Sequence, residues 1–175
     1  EEAADPATLA AAEEAERREA EIDRMAEDIA ERITSDAELS DLARNVRLEK
    51  SGGALTVQVL DQDERSLFQR GSSEISDKTR ELLLAIGDVI ADQNQPVEIV
   101  GHTDAAAFGS NTGYSNWELS ADRANATRRT LMAAGISGAR FLRVSGVADT
   151  QPINTVDPMA PENRRISIRL VYQAS

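Results

Sequence analysis

The sequence has no cysteine, a single histidine and no long apolar run. Without cysteine the chain forms no disulfide, performs no thiol chemistry and builds no Cys-based zinc site. One histidine cannot supply the several imidazoles of a typical metal site. No apolar stretch approaches the roughly 20 residues that a membrane-spanning helix requires. The chain begins with Glu1 and Glu2 rather than with methionine or a signal peptide, so we expect a fragment of a longer protein.

Basic residues are too few for a general nucleic-acid binder. The 175 residues hold 31 acidic and 19 basic side chains, a net charge of −12, whereas binding to phosphates or to anionic membranes needs a surplus of Lys and Arg. Hydrophobic types make up 41% of the chain, which is enough for one packed domain. Residues 1–50 hold 16 acidic and 7 basic side chains, against 15 and 12 in residues 51–175. We therefore predict two parts, a helical region over 1–50 and a globular domain over 51–175.

Residues 1–50 have the composition of an exposed helix. Asp5 followed by Pro6 is a typical helix start, because aspartate can cap the first turn and proline is tolerated there. Ala, Glu and Arg dominate the residues that follow, and all three are strong helix formers. A narrow apolar stripe at helical spacing is formed by Ile22, Met25, Ile29 and Ile33. Two interpretations stay open: a solvated helix packed on the domain, or a short coiled-coil contact with another chain.

From residue 52 onward the apolar pattern alternates between strands and helices. Period-two alternation indicates half-buried strands, and a serine cap before apolar residues at helical spacing indicates a helix. Strands are predicted over 54–60, 97–100, 141–147 and 166–172, and helices over 77–92 and 115–134. The order β-α-β-α-β-β predicts an α/β (α+β) two-layer sandwich, with helices on one face of a mixed sheet and an N-terminal α-helical extension.

A polar stretch over 101–104 follows the second predicted strand, where rigid elements can aim loop groups at a ligand. His102 and Asp104 supply only two metal ligands, so we expect no metal. A Ser-His-Asp arrangement could be drawn with Ser110 or Ser115, but no nucleophile-elbow pattern supports it. We favour a structural role for His102, hydrogen-bonded near the strand end.

Asp104 and Arg123 form the most informative pair. Arg123 lies about two turns into the helix capped by Ser115, and Asp104 stands at a strand end. One interpretation is a structural ion pair. The other is a split clamp, in which Asp104 accepts hydrogen bonds from a ligand ammonium and Arg123 holds a ligand carboxylate with its bidentate guanidinium. Such a clamp selects an amino-acid head group, and Asn116 at the helix start could add a neutral hydrogen bond.

Two adjacent arginines, Arg164 and Arg165, precede the last predicted strand. Neighbouring side chains point to opposite faces of a sheet. We therefore expect one of these arginines to point towards the clamp and the other outward. Two surface arginines are the alternative.

Four motifs in this order resemble the OmpA-like C-terminal peptidoglycan-binding domain, over about residues 53–172. The motifs are 97–104 (VEIVGHTD), 119–124 (LSADRA), Gly146 and 163–166 (NRRI). Within that superfamily, the stretches 113–126 (GYSNWELSADRANA) and 161–167 (PENRRIS) are similar to the stator B subunits of the flagellar motor.

The resemblance implies a non-catalytic domain that holds the diaminopimelate residue of the peptidoglycan stem peptide and needs neither a cofactor nor a metal. The implied binding residues are Asp104, Arg123, Thr103, Asn116, Leu119 and Arg164. The resemblance also implies a periplasmic homodimer, part of a single-pass inner-membrane protein, that anchors the stator to the cell wall. Its further partner would be the stator A subunit, reached through a transmembrane part upstream, and it would bind no nucleic acid. Residues 1–50 would be a periplasmic linker region that regulates stator activation.

Two other classes of function are left open by the residues. One is a structural adaptor, whose acidic helix over 1–50 binds a partner while the domain serves as a dimerisation body. The other is a hydrolase that uses His102.

Overall fold

The computed structural model describes residues 3–62, 66–69, 71–106 and 113–172. The helices and strands are α1 Pro6–Thr34, β1 Val46–Ser51, β2 Ala54–Leu60, α2 Asp77–Ala91, β3 Val97–His102, α3 Asn116–Ala133, β4 Phe141–Gly146 and β5 Arg165–Val171. Short 3-10 helices cover Ser40–Asn45, Gly138–Arg140 and Pro161–Asn163. Apart from β1, every strand of the domain and both of its helices match a predicted element closely.

The five strands form one mixed sheet in the order β1-β2-β5-β3-β4. β5 is antiparallel to both of its neighbours, whereas β3 and β4 run parallel. In this register Arg165, at the start of β5, lies between Leu60 at the end of β2 and His102 at the end of β3. The ends of β2 and β3 and the start of β5 therefore meet at one edge of the molecule.

One face of the sheet is apolar and is covered by the two domain helices. Val57, Ile99 and Ile168 lie on neighbouring strands of this face and are completely buried. α2 and α3 contact each other, and their apolar side chains join these strands in one core. The predicted two-layer sandwich with a mixed sheet is confirmed.

Strand β1 was not predicted. It forms a hairpin with β2 through Gly52 and Gly53, which both have positive φ, a conformation that glycine adopts without strain. The boundary predicted between residues 50 and 51 therefore falls inside the sheet, which begins at Val46. The strand is short and mostly exposed, so its apolar alternation is too weak to detect, but the Gly-Gly pair was a usable hairpin signal.

Only the second half of α1 packs on the domain. The predicted stripe of Ile22, Met25, Ile29 and Ile33 is buried and joins the domain core, and α1 lies against α2. Residues 7–17 are exposed, because that half offers little besides alanine and charge. The packed-helix interpretation is right for the second half, and a coiled-coil contact stays a prediction. None of the helices in the described part of the chain combines the length and apolarity needed to cross a membrane.

Two glycines set the height of α3 above the sheet. A Cβ atom on Gly101 of β3 would lie 2.1 Å from the carbonyl oxygen of Ser120, and one on Gly146 of β4 would lie 2.2 Å from the backbone nitrogen of Ala121. Only glycine permits this backbone-to-backbone approach. The contact fixes α3, and with it Arg123, close to the ends of the strands.

Candidate functional site

Charged side chains gather at the edge where β2 and β3 end and β5 begins. Asp61 directly follows β2, Asp104 stands two residues beyond β3, and Arg164 directly precedes β5. The Asp61 N–H donates to the Arg164 carbonyl at 2.9 Å, which extends the β2–β5 pairing by one residue. Strand pairing thus brings together residues that are far apart in the sequence.

Arg164 lies between two carboxylates. Its Nε donates to Oδ2 of Asp61 at 2.8 Å, and its Nη1 donates to Oδ2 of Asp104 at 2.6 Å. The Asp61 and Asp104 side chains are only 6% and 12% exposed, while that of Arg164 is 31% exposed. Of the two adjacent arginines, Arg164 is therefore the one that points towards the predicted clamp.

Arg123 reaches the same region from α3 and is nearly buried, with 5% of its surface exposed. Its Nε donates to the Ser72 carbonyl at 2.9 Å and its Nη2 to the Gln69 carbonyl at 3.4 Å. Its guanidinium carbon lies 4.7 Å from the centre of the Phe68 ring, a cation–π contact. These contacts come from the chain segment that leads into α2.

Asp104 and Arg123 are neighbours without being partners. Among the described residues no ion pair joins them, since Asp104 pairs with Arg164. The Asp104 charge nevertheless acts on Arg123, as does the charge of Asp61. The direct structural ion pair is therefore not formed, and the clamp interpretation stays a prediction.

Burial and charge act against each other in this cluster. Burial raises the pKa of Asp61, although the Arg164 guanidinium and the Leu67 N–H, 2.6 Å from its Oδ1, oppose the rise. Burial lowers the pKa of Arg123, and the Asp61 charge resists that change. For Arg164 burial acts downward, but hydrogen bonds to its two aspartates outweigh it and the pKa is raised.

Two arginines and two aspartates thus share one largely shielded region. A ligand with a single charge would leave this region with an unpaired charge, which is costly at low dielectric. A ligand that carries both an ammonium and a carboxylate adds no net charge. Its ammonium can pair with an aspartate and its carboxylate with an arginine. In the part of the chain that the structure describes, no group of His, Cys, Asp or Glu is arranged to hold a metal ion.

The other predicted site residues surround the segment after β3. Asn116 donates to the Ala106 carbonyl at 2.9 Å, and Asp104 Oδ1 accepts from the Ala106 N–H at 2.9 Å, so both hold this segment in place. Thr103 is buried, and its hydroxyl has no hydrogen-bond partner among the described residues. Leu119 is buried one turn before Arg123 on the same side of α3. All six predicted binding residues therefore lie at this end of the sheet.

His102 faces away from the site, on the polar face of the sheet. Its Nε2 lies 3.3 Å from the Ser167 hydroxyl, which donates to Oε1 of Gln58 at 2.6 Å. Burial lowers the pKa of His102 to about 3, so the ring is neutral. The Ser115 hydroxyl bonds Glu118 in the capping box of α3, and Ser110 lies outside the described residues. The geometry agrees with a structural histidine.

Arg165 departs from the prediction that one arginine points outward. It does lie on the opposite face from Arg164, but it is only 7% exposed. Its Nη2 donates to the Gln151 carbonyl at 2.8 Å, because the connection between β4 and β5 folds over that face. Burial lowers its pKa to about 10.

Four residues that contact the charged cluster were not among the predicted binding residues, namely Asp61, Phe68, Gln69 and Ser72. Asp61 could have been found from the antiparallel pairing of the first and last predicted strands, which places it beside Arg164. Gln69 and Ser72 act through main-chain carbonyls, so their side chains give no signal.

Comparison with known proteins identifies the class. Residues 67–165 match the OmpA family, and they make up more than half of the chain. The chain therefore belongs to the OmpA family. This membership confirms the prediction that it is not an enzyme.

Among curated relatives, Motility protein B of Escherichia coli K12 is 38% identical over 142 residues, which cover 81% of this chain and 46% of that protein. The putative flagellar export/assembly protein LafU of E. coli O44:H18 is 32% identical, with coverage of 97% and 59%. The chain thus spans about half the length of the curated relatives it matches.

Several solved structures have a fold similar to that of this chain. A putative MotB-like protein from Desulfovibrio vulgaris matches with a TM-score of 0.75 at 24% identity, covering 91% of this chain and 99% of that one. The cell wall anchor of the T6SS from Pseudomonas aeruginosa matches with a TM-score of 0.65 at 28% identity, covering 81% and 97%. The periplasmic domain of Helicobacter pylori MotB has a TM-score of 0.64 at 21% identity, covering 74% and 83%. The first and third of these likenesses show the fold alone.

Proposed function

We propose that this chain is the periplasmic part of a flagellar stator B subunit, which binds peptidoglycan and anchors the stator to the cell wall so that torque can be generated. Membership of the OmpA family and the 38% identity to Motility protein B support the proposal. So does the likeness to a structure described as a cell wall anchor. The observation that carries it is the shielded cluster of Asp61, Asp104, Arg123 and Arg164.

The proposed ligand is the diaminopimelate residue of the stem peptide. Its ammonium binds the Asp104 carboxylate, which already lies at the edge of the cluster beside the partly exposed Arg164. Its carboxylate binds Arg123, whose present partners are neutral carbonyls. A charge-assisted bond to a carboxylate is roughly twice as strong as a neutral one, so the exchange favours the ligand.

The remaining predicted residues shape the site around these charges. Asn116 fixes the segment that carries Asp104, and Leu119 provides an apolar wall beside Arg123. Thr103 offers a buried hydroxyl that is not engaged by the described residues. In this proposal the charged residues supply most of the binding energy, and the neutral residues shape the site.

Sedimentation with purified sacculi tests the proposal. We expect Arg123→Ala and Asp104→Asn to lose at least about tenfold in wall affinity, because removing one partner of a buried charge contact costs roughly 2–5 kcal/mol. Competition with a diaminopimelate-containing tripeptide should displace the parent protein, whereas the lysine-containing tripeptide should not, since it lacks the second carboxylate.

Arg129→Ala is the matched control, because Arg129 is an exposed arginine on the same helix as Arg123. It should sediment like the parent protein. If folded Arg123→Ala and Asp104→Asn also sediment like the parent, the clamp is wrong.

The wider assembly is part of the same proposal. The domain acts as a homodimer in the periplasm and is joined to the stator A subunit through a transmembrane part outside this chain. Residues 1–50 serve as the linker region that regulates activation, with the difference that β1 belongs to the sheet rather than to the linker. Support for this part comes from the flagellar relatives.

A further inference from the structure

Asp104, the residue proposed to bind the ligand ammonium, is already engaged on both carboxylate oxygens. Its Oδ1 accepts from the Ala106 N–H at 2.9 Å, and its Oδ2 accepts from Nη1 of Arg164 at 2.6 Å. The Asp104 side chain is only 12% exposed, which leaves few other directions of approach. A ligand ammonium must therefore take Oδ2 from Arg164 or bind beside the guanidinium, where like charges repel.

Arg164 is held from its other side by Asp61. Its Nε donates to Oδ2 of Asp61 at 2.8 Å, and its carbonyl accepts from the Asp61 N–H at 2.9 Å. The Arg164 side chain is more exposed than either of the aspartates that it bonds. Its Nη1 can therefore leave Asp104 while its Nε stays on Asp61, so that the guanidinium turns within the site instead of leaving it.

The loss of the bond to Asp104 leaves Arg164 short of a partner unless the ligand supplies one. A charged donor without a partner in a shielded site is costly. Burial lowers the pKa of Arg123, and the nearby Arg164 charge adds to that effect, so each guanidinium lies in the field of the other. A ligand carboxylate beside them would pair with the released Nη1 and relieve their repulsion. A ligand that carries only an ammonium offers no such compensation.

We propose that the Arg164–Asp104 ion pair makes the site selective, because it competes with the ligand ammonium for Asp104 and only a ligand that also brings a carboxylate gives Arg164 a new partner. The inference rests on the proposed function and deepens it, since it assigns the choice of diaminopimelate over lysine to Arg164. Asp61 is then a positioning residue, which keeps the guanidinium at the site while its Nη1 changes partner. An internal competitor of this kind discriminates against the wrong ligand rather than for the right one.

The experiment measures, by calorimetry, the affinities of two tripeptides whose last residue is either diaminopimelate or lysine. In Arg164→Gln no guanidinium bonds the Asp61 and Asp104 carboxylates, so the ammonium of either peptide can take its place. We expect the lysine-containing tripeptide to bind this variant at least about tenfold more tightly than the parent protein, because a competing charge is removed. The diaminopimelate-containing tripeptide should gain less or lose affinity, since its carboxylate loses a partner.

Arg164→Lys is a second variant should Arg164→Gln fold poorly. It keeps a cation beside the aspartates, but an ammonium lacks the planar fork with which arginine bonds both of them. The ratio of the two affinities should therefore fall in Arg164→Lys as well, by a smaller factor than in Arg164→Gln.

Arg169→Gln is the matched control. Arg169 lies on β5, its side chain is 38% exposed, and its Nη1 donates to Oε2 of the shielded Glu98 at 3.1 Å. This ion pair resembles that of Arg164 but lies on the polar face of the sheet, away from the cluster. The ratio of the two affinities in Arg169→Gln should equal that of the parent protein.

The selectivity role and the proposed function fail on different outcomes. If folded Arg164→Gln and Arg164→Lys keep the parent ratio of affinities, while Arg123→Ala abolishes binding of the diaminopimelate peptide, the selectivity role of Arg164 is overturned. If Arg123→Ala binds that peptide like the parent, the proposed function fails instead. The affinity of Arg164→Gln for the lysine peptide then still shows whether Arg164 blocks Asp104.

Discussion

At the scale of single residues, His102 gives the fold a pH dependence that can be assigned, because the chain has one histidine. An ordinary histidine titrates near 6.5, whereas burial lowers the pKa of His102 to about 3. Between these values the unfolded chain binds a proton that the folded chain does not. The stability that the neutral ring contributes is therefore complete above about pH 6.5 and is lost as the pH falls towards 3.

We expect the free energy of unfolding to fall by about 2 kcal/mol between pH 7 and pH 5 from this residue alone. Urea unfolding at both pH values measures the fall. In His102→Gln the fall in the free energy of unfolding should shrink to the contribution of the carboxylates. Asp61 contributes with the opposite sign, because burial raises its pKa and the folded chain therefore binds its proton more readily as the pH falls. An equal fall in His102→Gln and in the parent protein would contradict the assignment.

The site illustrates what can be predicted residue by residue. Asp104 and Arg123 could be found because acid and base types occur at a strand end and on a capped helix. An arginine before the last strand is expected to point towards Asp104, and Arg164 does so. The partners of Arg123 could not be found, since they are main-chain carbonyls. The chemistry of a side chain is local in the sequence, whereas its partner depends on tertiary contacts.

At the scale of elements, the seating of α3 on β3 and β4 depends on glycine. Gly101→Ala would force its Cβ against the backbone of Ser120, which cannot move without shifting the helix. We expect a loss of stability of about 1–3 kcal/mol or more from overpacking, together with weaker sacculus binding because Arg123 moves with α3. Urea unfolding and sedimentation measure the two effects.

Gly138→Ala is the control for this prediction. Its added Cβ would lie 3.4 Å from the flexible end of Met132, and its φ is not in the left-handed region. This variant should be close to the parent protein in both measurements. Parent-like stability of Gly101→Ala would show that α3 is not seated by this contact.

Elements with strong periodicity were predicted well, and weak ones were not. β2 and β5 alternate between apolar and polar side chains because one face packs in the apolar core, although much of the other face is buried too. α3 has a capping box that marks its start. β1 is an edge strand with little burial, so the hydrophobic pattern that identifies strands is faint there. The apolar periodicity of a sequence reflects burial, so an element with few buried side chains shows only a weak pattern.

At the scale of the whole molecule, α1 is the acidic N-terminal helix, and only its second half packs on the domain. The exposed half, residues 7–17, contributes nothing to the core, and an unpacked helix of this length is marginal in water. This exposed, acidic surface is the observation that favours the second candidate function, a partner-binding role for the helix. Partner binding by the exposed half of α1 would be separate from wall binding, since the cluster of charged residues lies entirely within residues 61–164.

Removal of residues 1–20 should therefore leave both urea stability and sacculus binding at parent levels, because none of the described residues 3–20 has a buried side chain. In contrast, Ile29→Ala should lower the free energy of unfolding by about 2–5 kcal/mol, because Ile29 is completely buried in the shared core. Urea unfolding and sedimentation measure both variants. A truncated chain that binds the wall but fails to support motility in cells would assign the exposed half-helix to a partner or to stator regulation. A truncated chain that no longer binds sacculi would show that wall binding needs the helix, against the division of tasks proposed here.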